Sequence, residues 1–159
     1  MTIANRVKSF LDDHDVDYEH SEHEPAYTAQ EVAEAEHVPG RQVAKTVILT
    51  DGDVYLMAVL PATRKIQLEK IRQSAGNDAL RLATEEEFAD LFPGSEIGAM
   101  APFGNLYEVP VFVDQTLRED ESITFSAGTH TDAITLAYAE FERLVEPVAA
   151  DFSEPIAAG

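Results

Sequence analysis

No cysteine occurs anywhere in the 159 residues, which excludes disulfides, thiolate metal sites and cysteine nucleophiles. Long apolar runs are missing as well: none nears the roughly 20 residues that cross a bilayer. The opening MTIANRVKSFLDD lacks the basic-then-apolar order of a secretory leader. It reads instead as an amphipathic helix with Ile3, Val7, Phe10 and Leu11 on one stripe. A cytoplasmic protein is the expectation these absences leave. Positive charge is scarce: eleven Lys and Arg stand against thirty Asp and Glu, a net −19. That balance argues against general binding to DNA or other nucleic acid and against anionic membranes. It favours solubility and suits a high-salt cytoplasm.

The few cations are clustered. Arg41, Lys45, Arg64, Lys65, Lys70 and Arg72 lie between positions 41 and 72 with only Asp51, Asp53 and Glu69, a local +3 on an acidic chain. One basic region of this kind can steer and hold a small phosphate-bearing end. The length and the 45% hydrophobic content fit a single domain with a substantial core, assigned here to residues 1–146. Residues 147–159, rich in Ala, Pro and acids, read as a mobile tail.

Within that domain, Val43 to Thr50 reads as a strand. Alternation puts Val43, Val47 and Leu49 on one face, with Lys45 among them. Asp51-Gly52 signals a two-residue hairpin leading to a return strand from Asp53 to Leu60. In that register Thr50 pairs with Asp53 and Lys45 lies opposite Ala58, whose small side chain leaves room for a partner. An inward ammonium must find water, a carboxylate or an anionic ligand, because an unpaired buried charge costs several kcal/mol or neutralises. The alternative is a strand-end lysine whose stem lies on apolar surface while its head reaches solvent.

Thr28-Ala29-Gln30-Glu31 and Thr84-Glu85-Glu86-Glu87 are capping boxes. The first opens a helix through about His37; the second opens one with Phe88, Leu91 and Phe92 inward, closed by Pro93-Gly94. Leu68 to Ala75 is a short helix stopped by Gly76. Short strands are expected at 16–20, 80–83, 109–114, 122–127 and 132–136, the last two joined by a turn at Gly128-Thr129-His130. A final helix carries Tyr138, Phe141, Leu144 and Val145 on one side. His14, His20 and His23 cluster in sequence, but the expected strand and Pro25 deny them helical metal-site spacing, and no further ligand type lies nearby. Gly98, Pro102 and Gly104 mark a strand running into a shaped loop. Strand pairs joined too tightly for parallel crossovers give the fold class: α+β, with a curved, barrel-like, mainly antiparallel mixed sheet surrounded by helices.

No serine sits on a strand-turn-helix elbow, and the glycines of 94–104 match neither a dinucleotide fingerprint nor a phosphate loop. What remains is a lysine facing a cavity and a G-x-x-x-P loop, Gly98 to Pro102, whose backbone N–H groups can polarise a carbonyl or orient a water. In order, VAKTVILT, YLMAVLPAT, GSEIGAMAPFGN and FSAGTHTDAITL resemble the YbaK and prolyl-tRNA synthetase-associated editing domain family, over about residues 5–145. The resemblance implies a free-standing protein that hydrolyses the ester of mischarged aminoacyl-tRNA, with no cofactor or metal. Its partners are the acceptor end of the tRNA and, for delivery, an aminoacyl-tRNA synthetase.

Carried over by position, the resemblance implies that Lys45 holds the phosphate of the terminal adenosine and positions the ester. Gly98, Ala99, Met100, Ala101 and Pro102 form the loop around the aminoacyl carbonyl and the hydrolytic water. Met100 and Phe103 shape the amino-acid pocket or belong to the core. Gly128 and His130 lie in a segment near the pocket, where His130 either contacts the amino acid or is structural. Thr46, on the opposite strand face from Lys45, reads as structural. The other functional class compatible with these residues is a catalytically silent module that binds an aminoacyl-adenosine-like ligand.

Overall fold

The computed structural model describes residues 3–92, 96 and 98–156, with side chains described from residue 6 onwards. Thr2, the Pro93-Gly94 helix stop, the approach to the loop at 94, 95 and 97, and residues 157–159 lie outside these. Helix α1 (Ile3–Asp13) is followed by β1 (Tyr18–Glu22), α2 (Ala29–Glu36) and the long hairpin β2 (Ala44–Thr50) and β3 (Tyr55–Pro61). Then come β4 (Arg64–Ile66), α3 (Leu68–Ala75), β5 (Arg81–Leu82), α4 (Glu85–Phe88), β6 (Val111–Asp114), β7 (Ser122–Ser126), β8 (Asp132–Ala137), α5 (Tyr138–Val145), β9 (Val148–Ala150) and β10 (Ser153–Pro155).

The strands form a mixed five-stranded sheet in the order β5-β2-β3-β6-β9, an antiparallel three-stranded sheet β1-β8-β7, and the pair β10-β4. Among the described strands only β3–β6 and β6–β9 run parallel, so the expected mixed, mainly antiparallel α+β class holds. The barrel-like expectation needs adjusting. A single bridge between Val43 and Thr124 joins the five- and three-stranded sheets, so they meet along one corner rather than closing into one ring.

β3 explains the architecture. Its alternate residues Met57 and Val59 enter the main core with Ile48, Phe103, Phe125, Ile134 and Phe141. Leu56, Ala58 and Leu60 enter a second core with Leu49, Ile71, Leu80 and Phe152 on the other face. A central strand buried on both sides needs a continuous apolar run rather than alternation, and YLMAVLP supplies one.

Both capping boxes form as read, Thr28 with Glu31 and Thr84 with Glu87. α3 ends at Gly76 in the left-handed conformation. α4 is only four residues long, although Phe92 beyond it is buried as expected. Two expectations fail. The β2–β3 turn is a four-residue loop: Thr50 pairs with Tyr55, and Lys45 lies opposite Leu60 instead of Ala58. The cause is Asp51, whose Oδ1 accepts the N–H groups of both Asp53 (2.8 Å) and Val54 (2.9 Å). This Asx-type turn displaces the two-residue turn that Asp-Gly suggests. The register moves by two, so every side chain keeps its face.

The described part of the supposed tail, residues 147–156, is also not as expected. β9 extends the five-stranded sheet beside β6, and β10 pairs with β4. Between them Phe152 is fully buried and its N–H donates to Asp114 Oδ1 at 3.1 Å. One large apolar side chain plus backbone pairing holds a segment whose composition offers little else.

Candidate functional site

A cavity of ≈ 190 Å³ opens at the N-terminal end of β2, lined by Tyr27, Thr28, Ala29, Val43, Ala44, Lys45, Thr46, Gly98, Met100 and Ser126. Four local decisions build it. Thr28 caps α2, which brings the helix start to the cavity wall. The Val43–Thr124 bridge pins the start of β2 beside β7. Gly98 adopts φ 87°, a conformation that L side chains rarely take. Gly128 does likewise at φ 95°.

Glu96 ties the last two segments together. Its N–H donates to Gly128 O (2.8 Å) and its O accepts from Ala99 N (3.0 Å), while Gly128 N donates to Ala99 O (2.8 Å). Its carboxylate accepts the N–H of His130 at 3.1 Å. The Gly98 loop and the 128–130 turn are therefore one hydrogen-bonded unit, and His130 Cε1 lies 3.6 Å from where a Cβ on Gly98 would sit.

Lys45 stands apart electrostatically. It is half-buried, and desolvation lowers its pKa from the ordinary lysine value. The other ten basic side chains all have partners. Arg41 meets Asp120, Lys65 meets Glu154, Lys70 meets Asp151 and Arg72 meets Glu69. Arg81, Arg118 and Arg143 pair with Glu87, Glu142 and Glu140. Arg6 bonds Leu106 O, Lys8 contacts His20, and Arg64 bonds Ser153. Lys45 alone has no hydrogen-bond acceptor or ion-pair partner among the described residues. The basic stretch at 41–72 is thus not a free positive surface. Asp120, Asp151 and Glu154, remote in sequence, neutralise three of its cations and leave one at the cavity.

Of the residues singled out in the sequence, Lys45, Gly98 and Met100 reach the cavity. Ala99, Ala101 and Pro102 are buried behind it. Phe103 is fully buried, with its ring against Phe10, Phe125 and Phe141, which makes it a core residue and not a pocket wall. His130 stacks on Tyr27 with ring centroids 4.7 Å apart. Thr46, read as structural, does line the cavity, as do Tyr27, Thr28 and Ser126, which sequence reasoning missed. The Thr28 capping box located the helix start but carried no hint of the cavity beneath it.

His14, His20 and His23 do not converge. His14 bonds Phe10 O, His20 bonds Asp132 and His23 bonds Glu24 O. Burial opposes ionisation of Asp132, yet the hydrogen bonds from Thr129 and His20 outweigh it and hold its pKa below the usual carboxylate value. No group of three or more possible metal ligands occurs among the described residues, and none of their helices is long and apolar enough to cross a membrane.

The chemistry open to this site follows from its donors. Ala99 N–H is already spent on Glu96 O. The N–H groups of Gly98, Met100 and Ala101 have no acceptor among the described residues, and of these three residues Gly98 and Met100 line the cavity. The hydroxyls of Thr28, Thr46 and Ser126 line the cavity, but none is hydrogen-bonded to a histidine or carboxylate side chain that could act as its base. The cavity offers a cation, amides and hydroxyls, and no activated nucleophile among the described residues.

Comparisons with known proteins bear on the family and the fold. A family model described as an aminoacyl-tRNA editing domain matches residues 23–144. Prolyl-tRNA editing protein ProX of Acetoanaerobium sticklandii is 25% identical over 152 residues, covering 92% of each chain. The proline–tRNA ligase of Thermosipho africanus is 34% identical over 77 residues, which are 48% of this chain and 14% of the ligase; the chain thus spans a small part of that relative. In three dimensions, a solved structure provisionally described as a trans-editing enzyme for prolyl-tRNA synthetase superposes with a TM-score of 0.82 at 24% identity, over 97% of this chain and 98% of the other. That likeness is one of fold. By the span of the family match, the chain belongs to the aminoacyl-tRNA editing domain family.

Proposed function

We propose that this protein is an aminoacyl-tRNA deacylase that acts in trans, hydrolysing the ester of mischarged tRNA. The observation that carries the reading is Lys45: the one cation of eleven with no hydrogen-bond or ion-pair partner among the described residues, at the wall of a small cavity, beside a loop with unclaimed N–H donors. A half-buried, unpaired ammonium is unfavourable in the free protein, so its position is best accounted for by a ligand anion. The 3′ end of a tRNA provides one in the phosphate of its terminal nucleotide. The match along 92% of the ProX relative's length supports action in trans.

In this reading Lys45 takes the terminal phosphate, and the Gly98 and Met100 amides face the ester carbonyl. Water adds to the carbonyl carbon, and negative charge builds on its oxygen against those amides. The bond to the ribose oxygen then breaks. The water's proton ends on that oxygen, releasing a free amino acid and a tRNA with its terminal hydroxyl restored. An aminoacyl ester is already activated, so positioning and charge stabilisation suffice without a covalent intermediate, and a substrate ribose hydroxyl can assist the proton transfer.

The test is a panel of mischarged tRNAs incubated with native protein and with Lys45→Ala. Release of at least one amino acid by the native protein, abolished in the variant, is the expected result. If the native protein cleaves no member of the panel, the deacylase reading is lost.

A further inference from the structure

Tyr27 is the most exposed of the described large apolar side chains, at 65%, yet it lines the candidate cavity. It is not a loose surface ring. Its N–H donates to Glu31 Oε1 at 3.1 Å, inside the cap of α2. Its ring leans on His130, tilted by 48° with centroids 4.7 Å apart. His130 is itself fixed by Glu96 at its N–H and by the Ala26 N–H at its carbonyl, 2.9 Å away. Two rings from separate segments are thus braced side by side at the cavity mouth, with one aromatic face turned to solvent.

The size of the cavity gives this arrangement a use. At ≈ 190 Å³ it is smaller than the roughly 300–1,000 Å³ typical of sites that enclose a drug-sized ligand. A cavity of that size leaves little room for a nucleobase beside an aminoacyl ester and its ribose. The charge pattern adds a second reason. Seven of the other ten cations are ion-paired, and Lys45 is the one cation lining the cavity, so a nucleic acid end held there gains from contacts other than charge. Bases stack on exposed aromatic rings irrespective of sequence, and such stacking dominates recognition of unpaired nucleotides.

We infer that Tyr27, braced by His130, is a stacking platform for the unpaired terminal nucleobase of the ligand whose phosphate Lys45 holds. This rests on the proposed function in taking a nucleotide end as the ligand, and it adds the residue that holds the base. A platform of this kind tolerates any base and any amino acid, and it supplies affinity without salt-sensitive contacts.

Adenosine 5′-monophosphate and ribose 5-phosphate, titrated against the protein by NMR, test it without any turnover. The two share the sugar and the phosphate and differ in the base. Native protein is expected to bind the nucleotide roughly 5- to 150-fold more tightly, the range of one base on one aromatic ring. Tyr27→Ala and Tyr27→Leu should erase that preference and leave ribose 5-phosphate unchanged, whereas Tyr27→Phe should retain it. Equal binding of the two ligands to native protein overturns the inference, as does a preference that survives in Tyr27→Ala. If the preference depends on Tyr27 but no mischarged tRNA is cleaved, the platform stands and the deacylase reading falls.

Discussion

Replacing Gly98 by alanine separates backbone strain from steric crowding at the one glycine that touches the cavity. Among the described residues a Cβ there would meet only His130 Cε1, at 3.6 Å, an ordinary van der Waals contact. The cost is therefore conformational: φ 87° suits glycine, and an L side chain in the left-handed region loses roughly 1–2 kcal/mol. At this chain length that corresponds to a Tm lower by about 2–8 °C. The loop can escape the penalty only by rotating, which shifts the Gly98 and Met100 backbone at the cavity wall, and a displacement of about 1 Å can lower the rate roughly 100-fold. Thermal unfolding and deacylation assays on the same preparation read both effects. Gly104→Ala is the contrast, because its Cβ would lie 2.6 Å from Val109 O and 2.8 Å from Val111 Cγ2, a backbone clash in the core that should destabilise far more. A Gly98→Ala protein with native Tm and native activity would refute the role given to this loop.

Other perturbations address the rest of the structure. Phe152→Ala should cost about 3–5 kcal/mol in urea unfolding, whereas a mobile tail would lose nothing. Asp51 and Glu87 are both held at about 2, Asp51 first by the Val54 N–H and Glu87 first by Arg81. Depressed carboxylates stabilise the fold above their ordinary pKa and lose that contribution as pH falls through the folded value. Urea midpoints should therefore drop from about pH 4.5 toward pH 2, less steeply in Asp51→Asn and Glu87→Gln. Lys45 has the opposite sense. Its lowered pKa penalises the fold at neutral pH, and the penalty fades as pH rises from the folded pKa toward the ordinary value of 10.5. The stability difference between Lys45→Met and native protein should accordingly shrink over that window.

The sequence was most legible where a local rule acts alone. Thr28–Glu31, Thr84–Glu87 and Gly76 set helix ends through contacts within a few residues, and they formed as read. The face of Lys45 also survived the error in the β2–β3 turn, because a shift of two preserves alternation. What was not legible depends on distant partners. The 147–155 segment orders only because β6 and β4 present pairing edges to it. The basic character of 41–72 disappears once Asp120, Asp151 and Glu154 fold onto it. Phe103 looked equally suited to pocket and core, and the aromatic ring cluster around it decided for the core. Tyr27 lies in no motif and Glu96 only flanks the G-x-x-x-P loop; their importance arises from what folding places beside them.

Lys45→Met tests the central claim most directly, with unfolding free energy and deacylation of a mischarged tRNA measured on one preparation. A lysine kept unpaired for a ligand should give a variant at least as stable as native protein and devoid of deacylase activity. A variant that loses stability, or one that still cleaves the ester at the native rate, would contradict the account.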